Sequence, residues 1–424
     1  MHGKTIFPKD FKLVALGQIV SIFGNQILRY ALPLYLLNQT GSAALFGTIM
    51  AFSAIPMILL FPIGGIIADR VNKRNIMVVL DFATAILISL FYMLLGEIDI
   101  VPLMTVAMML LFGIQGAYQP AVKASVPLLV ETENIMKANS VVDMINSVAG
   151  VAGPVIGGLL FSVLGLKPIL YVSIGCFFTS AVMEIFIRIP FEKRASNGNI
   201  FVTGLNDLKD SLRFMLKKQP VIRQISLIFA SSNLLLTSLI LIGLPVIITQ
   251  HLGFETDTAN RLYGYAQGIL AAGAVLGGLL AGILAGKLKS KTAPVLLIGC
   301  ALPIFAAGMA LQMLNAPMAA YIVLSVSSSL MLMLHTLFQI QMLTYLQLLT
   351  PRDLIGKVIS CFICVVMCTN PPGQFIYGFI FEHIGSGIYL PFYAAALIMT
   401  AIGVLTRRTF YGIDELTEKQ EAAC

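Results

Sequence analysis

Residues 64–75 read GGIIADRVNKRN, and Asp69, Arg70, Lys73 and Arg74 place four charges within six residues of a chain that is only 11% charged. Soluble domains carry roughly 25% charged residues. Here 58% of the 424 residues are hydrophobic and the mean hydropathy is +0.91. A water-facing surface is not built from so few charges. The charged stretch sits between two apolar runs, PMILLFPIGGII before it and IMVVLDFATAILISLFYML after it, and such runs recur along the chain. About 20 apolar residues cross a bilayer as a helix. Barrel strands would need short alternating segments instead. The reading is an all-α polytopic membrane protein, with GGIIADRVNKRN as the loop between two spans.

Twelve helical spans are expected, at 12–37, 43–68, 75–96, 101–123, 138–165, 168–189, 220–250, 259–286, 293–314, 317–346, 355–382 and 387–407. The stretch 190–219 is polar and mostly basic, and it separates residues 1–189, an N-terminal six-helix bundle, from 220–424, a C-terminal six-helix bundle with a short tail. The polar, basic N-terminus MHGKTIFPKDFK and the long first apolar run fit no removable signal peptide. Five of the six cysteines lie in apolar runs, where a disulfide framework is not expected. Cys361, Cys364 and Cys368 share a helix face without a histidine or acid nearby, and read as small packing residues rather than a metal site.

Lysine and arginine fall mainly on one set of loops, including Lys9, Lys12, the 64–75 loop, the 190–219 linker and Arg407. The opposite set holds only Lys167 and Arg261. By the positive-inside rule, the rich side is cytoplasmic, so both termini and the linker face the cytoplasm of a cell membrane. The net charge of +7 then acts as insertion signal and lipid attraction, with no nucleic-acid partner. A monomer in the bilayer is expected.

The halves repeat. A shift of 217 carries Gly65, Ala68, Arg70 and Arg74 onto Gly282, Ala285, Lys287 and Lys291. A shift of 220 carries Lys137, Ser140, Gly153, Gly158, Phe161 and Gly165 onto Lys357, Ser360, Gly373, Gly378, Phe381 and Gly385. Internal duplication with a central site is a signature of secondary transporters.

With six plus six spans and a basic middle linker, the chain resembles the major facilitator superfamily. That family's loop between helices two and three reads approximately G-x-x-x-[AG]-D-R-x-G-[RK]-[RK], matched here by Gly65, Ala68, Asp69, Arg70, Lys73 and Arg74. Asn72 stands in the glycine's place, and Asn tolerates a left-handed backbone best among non-glycine residues. The resemblance implies that this loop is a cytoplasmic latch, with Asp69 facing the start of span eleven near Gly356 and Gly65 allowing close helix approach. The second-half copy has Gly286 in place of Asp69, which suggests a separate task for that acid. In the fifth span, Gly153, Pro154, Gly157 and Gly158 match the G-x-x-x-G-P-x-x-G-G pattern of the drug:proton antiporter branch, with Ala149 for the first glycine. This motif either packs helices closely or, as the resemblance implies, seals the protein during exchange. The opening span together with PIGGIIADRVNKR is similar to the macrolide-efflux-type group. The drug-antiporter branch often carries an arginine in span four before a Q-G pair. Here Gln115-Gly116 is present, and Phe112 occupies the arginine's place.

Polar residues inside membrane helices cost free energy and need a reason. Gln18, Ser21, Asn25 and Arg29 lie on one face of span one. Gln115, Gln119 and Lys123 form a stripe on span four, Asn233 and Thr237 on span seven, and His335 and Gln339 on span ten. The resemblance implies that spans one, four, seven and ten line a central cavity, so Asn25, Arg29, Gln115, Gln119, Asn233, His335 and Gln339 are candidate cavity residues, with bonding between helices as the alternative. Asp81, two turns into span three with no sequence-local cation, is the first candidate for proton coupling. Asp143, read in the first turn of its helix, and His335 are the others. Glu184 reads as a structural partner of Arg188 at i, i+4. No nucleophile elbow, metal-spaced acid pair or phosphate loop occurs, so no enzyme activity and no cofactor are expected. The expected function is export of amphipathic small molecules or drugs, macrolide-type or multidrug, by alternating access in exchange for protons. The alternatives are a siderophore, lipid or metabolite exporter on the same fold, and a non-transporting membrane receptor or scaffold.

Overall fold

The computed structural model describes residues 7–190, 220–284, 290–350, 355–407 and 410. The 190–219 linker beyond Pro190, Gly286 and the loop before span eleven lie outside these residues. The helices are α1 (Lys9–Thr40), α2 (Ala43–Arg70), α3 (Lys73–Leu94), α4 (Ile100–Leu129), α5 (Ile135–Leu164) and α6 (Leu166–Ile185), then α7 (Val221–His251), α8 (Thr256–Leu284), α9 (Ala293–Met313), α10 (Pro317–Leu348), α11 (Ile355–His383) and α12 (Leu390–Leu405). Among the described residues, ten are long and apolar enough to cross a bilayer, and α12 is a shorter apolar helix. With α11 the count is the twelve that the sequence gives.

The chain divides into two compact units, Met1–Asn197 with Glu255–Gly268, and Gly198–Phe254 with Ile269–Cys424. In the first, small residues set the spacing. Ser173 and Ser180 of α6 donate to the carbonyls of Gly24 and Gly17 of α1. Both pairs are seven residues apart, two helical turns, so one face of each helix meets the other. A Cβ on Gly24 would lie 2.8 Å from Cys176 Cβ, so only glycine permits this approach. The α2–α4 contact is built the same way. A Cβ on Gly64 would sit 2.7 Å from Ala117 Cα, and one on Gly116 2.7 Å from the Met57 carbonyl oxygen.

Helix α3 shows what surrounds the unit. Met77, Asp81, Thr84, Ala85, Ile88 and Phe91 form its buried stripe, whereas Val79, Ile86, Leu90 and Met93 on the other side are exposed, Met93 by 69%. An acid inside and bare apolar side chains outside is the arrangement a lipid solvent selects.

In the second unit, α7 departs from the unbroken α-helix that its sequence pattern suggests. Asn233–Thr237 and Ile247–His251 are π-helical turns. A π turn leaves backbone carbonyls out of the regular ladder, and Tyr377 of α11 donates to one of them, Leu235, at 2.9 Å. Beside it, Gly373 gives α11 its close approach, because a Cβ there would lie 2.3 Å from Ser238 Oγ. Such tertiary compensation is invisible to a periodicity argument along α7 alone.

The charged stretch also differs from a loop over 64–75: Gly64–Arg70 are the last turns of α2 and α3 resumes at Lys73, so only Val71 and Asn72 connect them. Asn72 has φ −58° and ψ 119°, not a left-handed backbone, and its side chain accepts from the Arg74 N–H at 3.1 Å. It is an N-cap for α3, a role for which Asn is among the preferred residues. Within the described residues, Gly64 makes the close contact with α4, whereas nothing described lies within 4 Å of a Cβ built on its neighbour Gly65; the expected partner of Gly65 at the start of span eleven lies outside the described residues.

Candidate functional site

The first unit holds a buried polar cluster at the junction of α1, α3, α4 and α6. Asp81 is 2% exposed, and Gln18 and Glu184 are fully buried. Ser21 Oγ donates to Asp81 Oδ1 at 3.3 Å. Tyr118 donates to Glu184 Oε1 at 2.8 Å and accepts from the amide of Gln18. Asp81 and Glu184 share Tyr118 as a neighbour: Asp81 lines the same cavity as that tyrosine, and Glu184 accepts from its hydroxyl. Gln18 Oε1, Asp81 Oδ2 and Glu184 Oε2 are buried acceptors without a hydrogen-bond partner.

A cavity of about 50 Å³ opens from this cluster. Its polar wall includes Ser21, Asn25, Asp81, Gln115, Tyr118 and Gln119, and its apolar wall Ile22, Leu111, Ile114 and Phe177. A second, smaller cavity shares Asn25, Gln115 and Phe177 and reaches Arg29 and Phe112. Arg29 Nη1 donates to Gln115 Oε1 at 2.9 Å, and the guanidinium stands 4.6 Å above the Phe112 ring centroid. The cation that the sequence lacks at position 112 is therefore supplied to that place by α1, held by a cation–π contact and by the glutamine of the Q-G pair.

Four of the seven predicted cavity residues, Asn25, Arg29, Gln115 and Gln119, thus meet in the first unit. The other three belong to the second. His335 is buried, with Nε2 3.1 Å from Ser232 Oγ and its ring stacked on Phe229 at 6.0 Å. Asn233 is buried in the first π turn, donating to the Phe229 carbonyl at 3.2 Å and lying 3.4 Å from Thr237 Oγ1. Gln339 is half-buried one turn beyond His335.

Glu184 corrects the sequence reading most strongly. Helix α6 ends at Ile185, so Arg188 is not on the same helical face, and its backbone N–H bonds Asp10 Oδ1 instead. The signal that identifies Glu184 is the stripe Ser173, Phe177, Ser180 and Glu184, all on the buried face of α6. Asp143 also differs from expectation. Helix α5 begins at Ile135, so Asp143 lies in its third turn and cannot offset the helix dipole, and it is exposed.

The fifth-span motif contacts the first part of α8, which belongs to the same unit. A Cβ on Gly158 would lie 2.9 Å from Gly264 Cα, and one on Gly153 2.5 Å from Gln26 Cβ. Tyr30 donates to the Asn260 carbonyl and stacks on Tyr263 at 5.1 Å. Of the charged loop, Arg70 is exposed, and Lys73 and Arg74 are half-buried. The Asp69 side chain and Gly356 lie outside what is described, so the expected latch is not among these contacts.

The chain belongs to the Major Facilitator Superfamily, whose family model matches residues 14–368. It is a membrane transporter of that fold and not an enzyme. It is 24% identical over 419 residues to the MFS-type transporter YfiS of Bacillus subtilis, covering 95% of this chain and 94% of that one. It is 26% identical over 181 residues to macrolide efflux protein A of Streptococcus pyogenes, covering 42% of this chain and 45% of the relative. Among solved structures, a bacterial homologue of the iron transporter ferroportin in an inward-facing state superposes with a TM-score of 0.70 at 16% identity, covering 94% of this chain and 98% of that one.

Proposed function

We propose that this chain exports amphipathic small molecules, of macrolide or multidrug type, from the cytoplasm in exchange for protons, as a monomer in the cell membrane with both termini inside. The observation that carries the reading is the first unit's cavity, where five uncharged amides (Asn25, Gln26, Gln115, Gln119, Asn146) face an apolar wall and one carboxyl, Asp81, completes the polar side. Neutral amides pair with a polar group of the cargo without demanding one charge, and the apolar wall lies beside it; at about 50 Å³ the cavity takes one group of such a cargo and not its body. Asp81 couples cargo to protons, with Asp143 and His335 as the weaker candidates on position and partners. Within the second unit, Asn233, His335 and Gln339 are the residues we assign to cargo contact. Gly65, Asp69, Arg70, Lys73 and Arg74 act as the conformational latch, and Gly153, Pro154, Gly157 and Gly158 keep α5 closely packed during exchange. Similarity to macrolide efflux protein A over part of the chain supports the direction of transport.

Purified protein in liposomes tests this. Ethidium and erythromycin should cross under an imposed pH gradient and stop when it is collapsed; no movement of either would remove the reading. Arg29, whose guanidinium reaches the second cavity, favours one other cargo class, an anionic metabolite, lipid or siderophore. Arg29→Ala decides between them: selective loss of an anionic cargo supports the second reading, and loss of ethidium transport the first.

A further inference from the structure

The buried cluster around Tyr118 has an imbalance in its hydrogen bonding. Three side-chain acceptors there, Gln18 Oε1, Asp81 Oδ2 and Glu184 Oε2, have no partner. Buried polar groups in proteins are nearly always satisfied. Gln18 is fully buried and its amide N–H₂ group is already turned to Tyr118, so its oxygen has only an added donor to receive. What this pocket lacks is positive charge or protons.

Among the described residues, nothing charged around it supplies either. On α1 the cluster is faced by Gln18 and Ser21. Arg29 lies about 12 Å further along by helical rise than Ser21 and is engaged by Gln115 and Phe112. Asp10, about 12 Å in the other direction from Gln18, accepts from the Arg188 backbone. Helix α3 contributes Asp81 and Thr84, α4 Tyr118, and α6 Ser180 and Glu184; Asn146 of α5 lines the adjoining cavity. Among the described residues, the titratable groups facing the pocket are thus two carboxyls and one phenol. Two carboxylates without a cation, taken out of water, are costly. Added protons remove that cost and supply the missing donors.

We propose that Asp81 and Glu184 form a single two-carboxyl proton-binding site, in which Asp81 meets the cavity and Glu184 holds a proton behind Tyr118. The proposal rests on the proton-exchange reading above for its role in transport, but not for its existence. Asp81 and Tyr118 both line the cavity, whereas Glu184 does not. Tyr118 lines the cavity and its hydroxyl donates to Glu184, so it is the positioning residue that connects inner and outer carboxyl. Neighbouring carboxyls that interact strongly titrate as a pair and not as two separate acids.

The test is an infrared titration of the purified full chain, following the carbonyl stretch of protonated carboxylic acids, with wild type, Asp81→Asn, Glu184→Gln and the conservative Glu184→Asp. The expected result is two buried-acid steps in wild type and one in either amide variant. The remaining step should move by about one pH unit or more. Glu184→Asp should retain two steps, which separates proton binding from loss of fold. The proposal is overturned if each amide variant removes its own step and leaves the other unmoved. It is also overturned if sodium at constant pH abolishes both bands, since the pocket is then a metal-cation site. Ethidium-driven proton flux measured on the same wild-type preparation keeps the two readings apart. A coupled titration without exchange supports the pair and removes the antiport reading. Exchange with uncoupled acids removes the pair alone.

Discussion

Tyr118→Phe deletes one oxygen atom and keeps the ring, which makes it the sharpest probe of the buried cluster. In the native protein that oxygen donates to Glu184 at 2.8 Å and accepts from Gln18. Both partners are fully buried, so neither exchanges its bond for bulk water. In a soluble core each orphaned group would cost about 1–3 kcal/mol. Between membrane helices measured couplings are smaller, averaging about 0.6 and reaching about 1.7 kcal/mol, because separated helices in lipid also find partners. The membrane figure governs here. Two bonds then put the loss at roughly 1–3 kcal/mol. The assay is reversible unfolding in mixed micelles, read by circular dichroism, in a double-mutant cycle with Gln18→Leu. A coupling of about 0.6 kcal/mol or more between positions 18 and 118 is expected. Additive effects within about 0.3–0.5 kcal/mol, with Tyr118→Phe as stable as wild type, would refute the hydrogen-bonded unit.

Other consequences follow from the same geometry. Arg29→Lys keeps the charge but not the planar fork that sits over Phe112 and donates to Gln115, so ethidium transport should fall nearly as far as in Arg29→Ala; full rescue by lysine in the liposome assay would reduce the site to a point charge. Gly158→Leu places a side chain where even a Cβ would lie 2.9 Å from Gly264 Cα, and should abolish transport while the protein still reaches the membrane; surface expression and efflux in cells measure both. Asn72→Ala should cost about 1 kcal/mol as a lost N-cap, and Asn72→Gly only a few tenths, with normal transport by both; micelle unfolding distinguishes this from a left-handed turn, in which glycine would stabilise. Asp69→Asn should insert normally and transport poorly, and normal efflux would leave the 64–75 loop as an insertion signal only.

The spans were legible because lipid imposes long apolar helices whatever the packing, and the break between α2 and α3 was legible because the charges of GGIIADRVNKRN interrupt an apolar run. Asn25, Arg29, Gln115 and Gln119 were readable for a related reason: polar residues at helical spacing in apolar runs have few places to go. Glu184 was hidden because its position near a helix end offered a plausible local partner, Arg188. Sequence spacing does not reveal that α6 ends at Ile185 and that Tyr118, 66 residues away, claims the carboxyl. The π turns of α7 escaped for the same reason, since what stabilises them comes from α11. Asn72 was assigned by analogy to a glycine, and its capping bond lies two residues on, in the backbone of Arg74.

The central claim is that cargo leaves as protons enter through a route that includes Asp81. Simultaneous recording of ethidium and internal pH in proteoliposomes tests it most directly. Opposed fluxes of ethidium and protons in wild type, with both lost in Asp81→Asn while the protein remains folded, are the expected result. Ethidium movement without proton flux, or unchanged exchange in Asp81→Asn, would contradict it.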